Sequence, residues 1–109
     1  MKYQIFQLKQ NFLKELGFRD FDEVEDNFFK ENYSEVYQGD LEVKSSVWEV
    51  LEVIFETFNV NRPADFKGHA LSVSDVVVIG GRAFYCEKFG WKEVDFEEIP
   101  DHPWREDDE

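Results

Sequence analysis

Apolar and polar positions alternate from Tyr3 to Leu8, setting Tyr3, Ile5 and Gln7 against Gln4, Phe6 and Leu8, and this period of two predicts a strand. From Gln10 the period lengthens: Phe12, Leu13 and Leu16 share one side of a short helix, and Gly17 is placed to end it. Phe21, Val24 and Phe28 then recur three and four apart after Asp20, with Glu23 three residues on in a capping-box arrangement. A second helix is predicted there, running to about Lys30. Alternation returns between Tyr33 and Leu41, where Tyr33, Glu35 and Tyr37 oppose Ser34, Val36 and Gln38, and Gly39-Asp40 reads as a turn or bulge.

The longest helical pattern opens at Ser46, with Glu49 completing a second capping box. Val47, Val50, Leu51, Ile54, Phe55 and Phe58 form a continuous apolar stripe that must pack on a sheet, and Glu49, Glu52 and Glu56 line the opposite side. Residues 59–69, with Pro63 and Gly68, read as an irregular connection. Leu71 to Ile79 is predicted as a strand, Gly80-Gly81 as a two-residue turn needing positive φ, and Arg82 to Lys88 as the returning strand, a β-hairpin of 71–79 and 82–88. A last strand is expected over Trp91 to Phe96.

The order β-α-α-β-α-β-β-β predicts an α+β fold, a single mostly antiparallel β-sheet with helices packed on one face and Val76 to Ile79 as its best-covered strand. At 109 residues there is material for one domain, placed at 1–96, with 97–109 expected as an acidic, mobile tail.

Composition changes the picture chiefly through charge. Aromatic residues make up 17% of the chain, twelve of them Phe, while mean hydropathy is −0.55, so a dense apolar core must sit inside a charged shell. Net charge is −13 with a pI near 4.4, which argues against direct binding of nucleic acid or an anionic membrane. The excess is uneven: residues 20–56 carry −10 and residues 93–109 carry −8, whereas 1–19 and 57–92 carry +3 and +2. The single Cys86 excludes an internal disulfide, no metal-ligand spacing exists, and no apolar run approaches the roughly 20 residues of a membrane span.

Candidate chemistry is sparse. His69, Ser72, Ser74 and Asp75 are the residue types of a hydrolase triad, but all fall within seven positions and no oxyanion loop accompanies them, so they read as structural. Asp75 shares a strand face with Leu71, Val73 and Ile79, where a carboxylate must be hydrogen-bonded. Cys86 lacks a neighbouring base and reads as a small buried hydrophobe. Phe55, Phe58, Phe84, Phe89 and Trp91 have the types of a base-stacking platform, yet only weak positive charge surrounds them, so core packing is the reading kept. No catalytic residue, metal or cofactor is assigned.

YQIFQLK at 3–9, ENYSEVYQGDL at 31–41 and FNVNRPADFKGHALSVSDVVVIGGRAFYCEKFGWKEV at 58–94 resemble the YodL-like domain family, with the SVSDVV block at the matching place and Trp91 where Phe is usual. The resemblance implies a protein of bacterial mobile elements and phages, made in the host cytoplasm, and carries over no catalytic residue. In that context the carboxylates Asp22, Glu23, Glu25, Asp26, Glu49, Glu52 and Glu56, with Asp107 and Asp108 as a secondary arm, are the expected partner-binding residues. The leading expectation is a non-enzymatic inhibitor of anti-CRISPR or antirestriction type, mimicking DNA in the basic groove of a host defence nuclease or its nucleoprotein complex. Two alternatives are weighed beside it: an interaction module of conjugative transfer using residues 59–69, Asp65, Phe66 and His69 above all, and a hydrolase-like enzyme around His69 and Asp75.

Overall fold

A computed structural model describes residues 1–42 and 46–96. Five strands, β1 (Lys2–Leu8), β2 (Tyr33–Asp40), β3 (Val76–Ile79), β4 (Arg82–Cys86) and β5 (Trp91–Val94), form one antiparallel sheet in the order β2-β1-β3-β4-β5. The helices among the described residues are α1 (Leu13–Leu16), α2 (Phe21–Val24) and α3 (Val47–Val60), supplemented by short 3-10 turns. The α+β class, the order of elements and the antiparallel sheet are as expected, and β3 is the central, best-covered strand.

The helices, however, divide between the two faces. Tyr3, Ile5, Val77, Ile79 and Phe84 point to one side and pack with Val50, Leu51, Ile54 and Phe58 of α3. Phe6, Leu8, Val76, Ala83 and Tyr85 point to the other, against Leu13, Leu16, Phe21, Val24 and Phe28 from the segment holding α1 and α2. A strand with apolar residues at successive positions, as in Val76 to Ile79, needs cover on both faces, so the expectation of helices on one face gives way to two covering layers.

A bulge in β2 supports this division. The β1–β2 register shifts between Ile5 and Phe6, which face Tyr37 and Glu35 respectively. Val36 is the extra residue, so Tyr37 turns toward α3 while Tyr33 stays on the opposite face with Phe28 and Phe96. Simple alternation had put Tyr33 and Tyr37 together.

Several boundaries moved for identifiable reasons. The second helix ends at Val24 and continues only as a 3-10 turn, Glu25–Asn27, because Phe28 leaves the helical path to pack edge-on against Phe21 and Tyr85. Asp20 does not cap its own helix: its Oδ1 accepts the Lys88 N–H at 2.8 Å, while Glu87 Oε2 accepts the Phe21 N–H at 3.1 Å, a crossed pair that ties α2 to the turn after β4. The Ser46 cap forms as expected, its hydroxyl accepting the Glu49 N–H. On the expected apolar stripe, Phe55 proves 36% exposed and leans on Trp91 instead of entering the core.

Gly80 and Gly81 adopt φ of 58° and 83°, the mirror-image turn that matches strand twist. The hairpin they join is shorter than 71–79 and 82–88: its strands are Val76–Ile79 and Arg82–Cys86. Residues 71–75 form a turn, in which Ser74 takes φ of 89° and the Asp75 N–H bonds to Ser72 O. The tail expected at 97–109, with Asp107 and Asp108, lies outside the described residues.

Candidate functional site

Among the described residues, Asp22, Glu23, Glu25, Asp26, Glu49, Glu52 and Glu56 are exposed, but they do not form one surface. Asp22, Glu23, Glu25 and Asp26 belong to the layer over one sheet face, and Glu49, Glu52 and Glu56 project from α3 over the other. Glu23 is flanked by cations, with Arg19 Nη1 at 3.8 Å and Lys88 Nζ at 4.0 Å. The three α3 carboxylates meet no cation at ion-pair distance among the described residues. Their positions on a 14-residue helix put them about 4.5 and 6 Å apart along its axis, a rigid row of negative charge.

Beside that row lies an open groove of about 600 Å³, lined by Trp48, Glu49 and Glu52 of α3 and by Gly90 and Trp91 at the start of β5. Trp48 is 47% exposed although its ring packs edge-on against buried Phe84 at 5.2 Å. Trp91 stands at right angles to Phe55, with ring centres 6.3 Å apart. Gly90 holds φ of 94° in open space, and the adjoining Phe89 is 94% exposed. Of the five aromatics considered as a stacking platform, Phe58 and Phe84 are core while Phe55, Phe89 and Trp91 reach the surface, so the core reading holds for only part of the set.

Trp48 was not among the residues chosen from the sequence. Its signal was nonetheless present: a large indole that belongs to no part of the apolar stripe of its own helix, four residues before Glu52 and therefore on the same side of it.

A second polar cluster is built around Gln7, which is 2% exposed. Its Nε2 donates to Asp75 Oδ2 at 3.0 Å and to His69 O at 2.8 Å, and its Oε1 accepts the His69 N–H. Asp75 Oδ2 also accepts the Ser72 N–H at 2.8 Å. Burial pushes the Asp75 carboxyl up to about 8, against the opposing pull of those Ser72 and Gln7 hydrogen bonds. His69 and Asp75 are thus brought to one side chain, where every hydrogen bond they make with it holds two loops to β1. Phe66 packs against Phe58 and Tyr37 and is half-buried, whereas Asp65, Lys67 and His69 are exposed together with Val60, Asn61, Arg62 and Ala64 of residues 59–69.

Cys86 is buried, and its thiol is pushed up to about 12 by burial and by the carboxylates of Asp75, Glu52, Glu87 and Asp20. The thiol stays protonated at neutral pH, which denies it nucleophilic character. Among the described residues, no group of three or more His, Cys, Asp and Glu side chains is arranged to hold a metal, and no helix is long and apolar enough to cross a membrane.

The model of the YodL-like domain matches residues 2–96. No curated protein and no solved structure matches the chain.

Proposed function

The chain belongs to the YodL-like domain family, and from that premise we propose that it is a non-enzymatic binding protein acting as an inhibitor, with the acidic row of α3 occupying the nucleic-acid groove of a host defence nuclease of CRISPR or restriction type in the bacterial cytoplasm. The observation that carries this reading is the exposure of Glu49, Glu52 and Glu56 on one rigid helix with no ion-pair partner among the described residues. Like charges three and four residues apart weaken a helix by a few tenths of a kcal/mol per pair, and a basic groove would turn that repulsion into attraction. The spacing along α3 is of the same order as the roughly 3.4 Å per phosphate along one DNA strand.

A net charge of −13 supplies long-range steering toward a basic partner. Asp22, Glu25 and Asp26 look out from the opposite layer and form a separate surface, so a single groove engages α3 alone, and the residues that follow 96 are a second arm. The implied association with mobile elements supplies the biological setting in which such an inhibitor is used.

The test is binding to purified restriction nuclease and CRISPR effector complexes as salt is raised from about 50 to 500 mM. Affinity is expected to fall steeply with salt and to be lost on reversing Glu49, Glu52 and Glu56 together to Lys. Binding that ignores both changes overturns the proposal.

A further inference from the structure

The groove beside α3 combines features that a plain acidic surface lacks. Two indoles wall it, two carboxylates border it, and Gly90 leaves one side without a side chain. A wholly apolar occupant would strip water from Glu49 and Glu52 with nothing in return, and an anion would be repelled by them. A small hydrated metal ion would leave the indole faces unused. A planar organic cation satisfies both kinds of surface, because its face is attracted to the electron-rich rings while its N–H groups reach the carboxylates.

The same chemistry already operates once within the molecule. Arg82 places its guanidinium 5.2 Å from the centre of the Phe84 ring while its Nε and Nη2 donate to Glu93 at 3.0 and 2.9 Å. Trp48 packs on that same Phe84. Arg82 is committed to Glu93, so the groove carboxylates Glu49 and Glu52 keep no cation of their own among the described residues.

We propose that the Trp48–Trp91 groove is a receptor for one arginine side chain of the partner protein, the guanidinium lying against the indoles with Glu49 and Glu52 accepting its hydrogen bonds. The proposal rests on the reading of α3 as the partner-binding face and adds a specific anchor to it. Arginine is preferred to lysine because the guanidinium is flat, weakly hydrated and bears five donors in a fixed fork, whereas an ammonium is a compact, strongly hydrated point charge. The acidic row then steers and aligns, and the groove decides where the partner's chain is held.

The test uses the full chain carrying Trp104→Phe, so that the fluorescence of Trp48 and Trp91 reports on the groove. It is titrated with two short peptides of equal charge, one bearing arginines and the other lysines in the same places. The arginine peptide is expected to shift the emission saturably and to bind about fivefold to tenfold more tightly than the lysine peptide. Trp48→Ala and Glu52→Gln are each expected to erase that preference, and Trp48→Phe, which keeps the contact with Phe84, to retain part of it. Equal affinity for the two peptides, or a preference that survives in either Trp48→Ala or Glu52→Gln, overturns the arginine receptor. The charge-based reading is judged separately by salt and by the triple charge reversal: it stands if those abolish nuclease binding even where the arginine preference is absent.

Discussion

Gln7 and Asp75, 68 positions apart, meet through a single hydrogen bond of 3.0 Å between Nε2 and Oδ2, and both are almost completely buried. Gln7 sits on β1 and Asp75 immediately before β3, so the bond crosses between adjacent strands at the point where the 71–75 turn enters the sheet. The Ser72 N–H completes the contact, and Tyr33 adds its hydroxyl at 2.6 Å from Ser74 O. The conspicuous polar residues of the SVSDVV block thereby find a structural use.

The raised Asp75 carboxyl makes stability depend on pH in a definite direction. The folded state holds a proton up to about 8, whereas the unfolded chain releases it near the ordinary value of 3.8, so the folded state binds more protons across that window. Stability therefore falls as pH rises from about 4 to about 8, by at most about 1.4 kcal/mol per pH unit. Asp75→Asn, which imitates the protonated form, is expected to flatten this dependence, and Asp75→Ala to lose about 1–3 kcal/mol by stranding Gln7 and the Ser72 N–H. Urea unfolding at several pH values is the measurement; a wild-type curve as flat as that of Asp75→Asn would contradict the assignment.

Gly68→Ala should damage the same region from a different side. A Cβ at Gly68 would overlap Gln7 Oε1 and approach Phe66 Cζ to 3.0 Å, and Gln7 cannot swing away without releasing His69 and Asp75. A loss on the order of 2 kcal/mol is expected, read as an earlier urea midpoint with an unchanged slope.

Glu52→Lys separates folding from binding. It converts two like-charge neighbours on α3, Glu49 and Glu56, into opposite-charge pairs at three and four residues, so stability should hold or rise by about 0.2–0.5 kcal/mol per pair. If α3 is the binding face as proposed, affinity for a basic partner should weaken at the same time. A variant that loses both together would show that Glu52 acts through the fold, and thermal unfolding alongside affinity distinguishes the outcomes.

Cys86 should be silent in the native protein. With the thiol buried and pushed up to about 12, a thiol reagent at pH 8 is expected to label it at least a hundredfold more slowly in the folded than in the urea-unfolded chain. Equal labelling rates would show that the β4 end opens readily.

Much of this architecture was readable from local pattern. The stripe through Val50, Leu51, Ile54 and Phe58, the Ser46 cap and the Gly80-Gly81 turn each depend on residues within a few positions of one another, so the chain alone determined α3 and the centre of the β3–β4 hairpin. Charge, too, is a property of the sequence, and the row Glu49, Glu52, Glu56 follows from helical spacing alone. Tertiary structure decided everything that needed two distant segments. It crossed the contacts of Asp20 and Glu87 in place of a local capping box, turned Tyr37 away from Tyr33 through a bulge, and put the two acidic groups over opposite faces of the sheet. It also brought Trp91 beside Trp48 across 43 positions to make a groove that neither segment contains by itself. The physical reason is the same throughout: capping and periodicity are settled within a few residues by backbone geometry, whereas the choice of face and partner is settled by which buried polar group and which aromatic ring can be satisfied once the strands have paired.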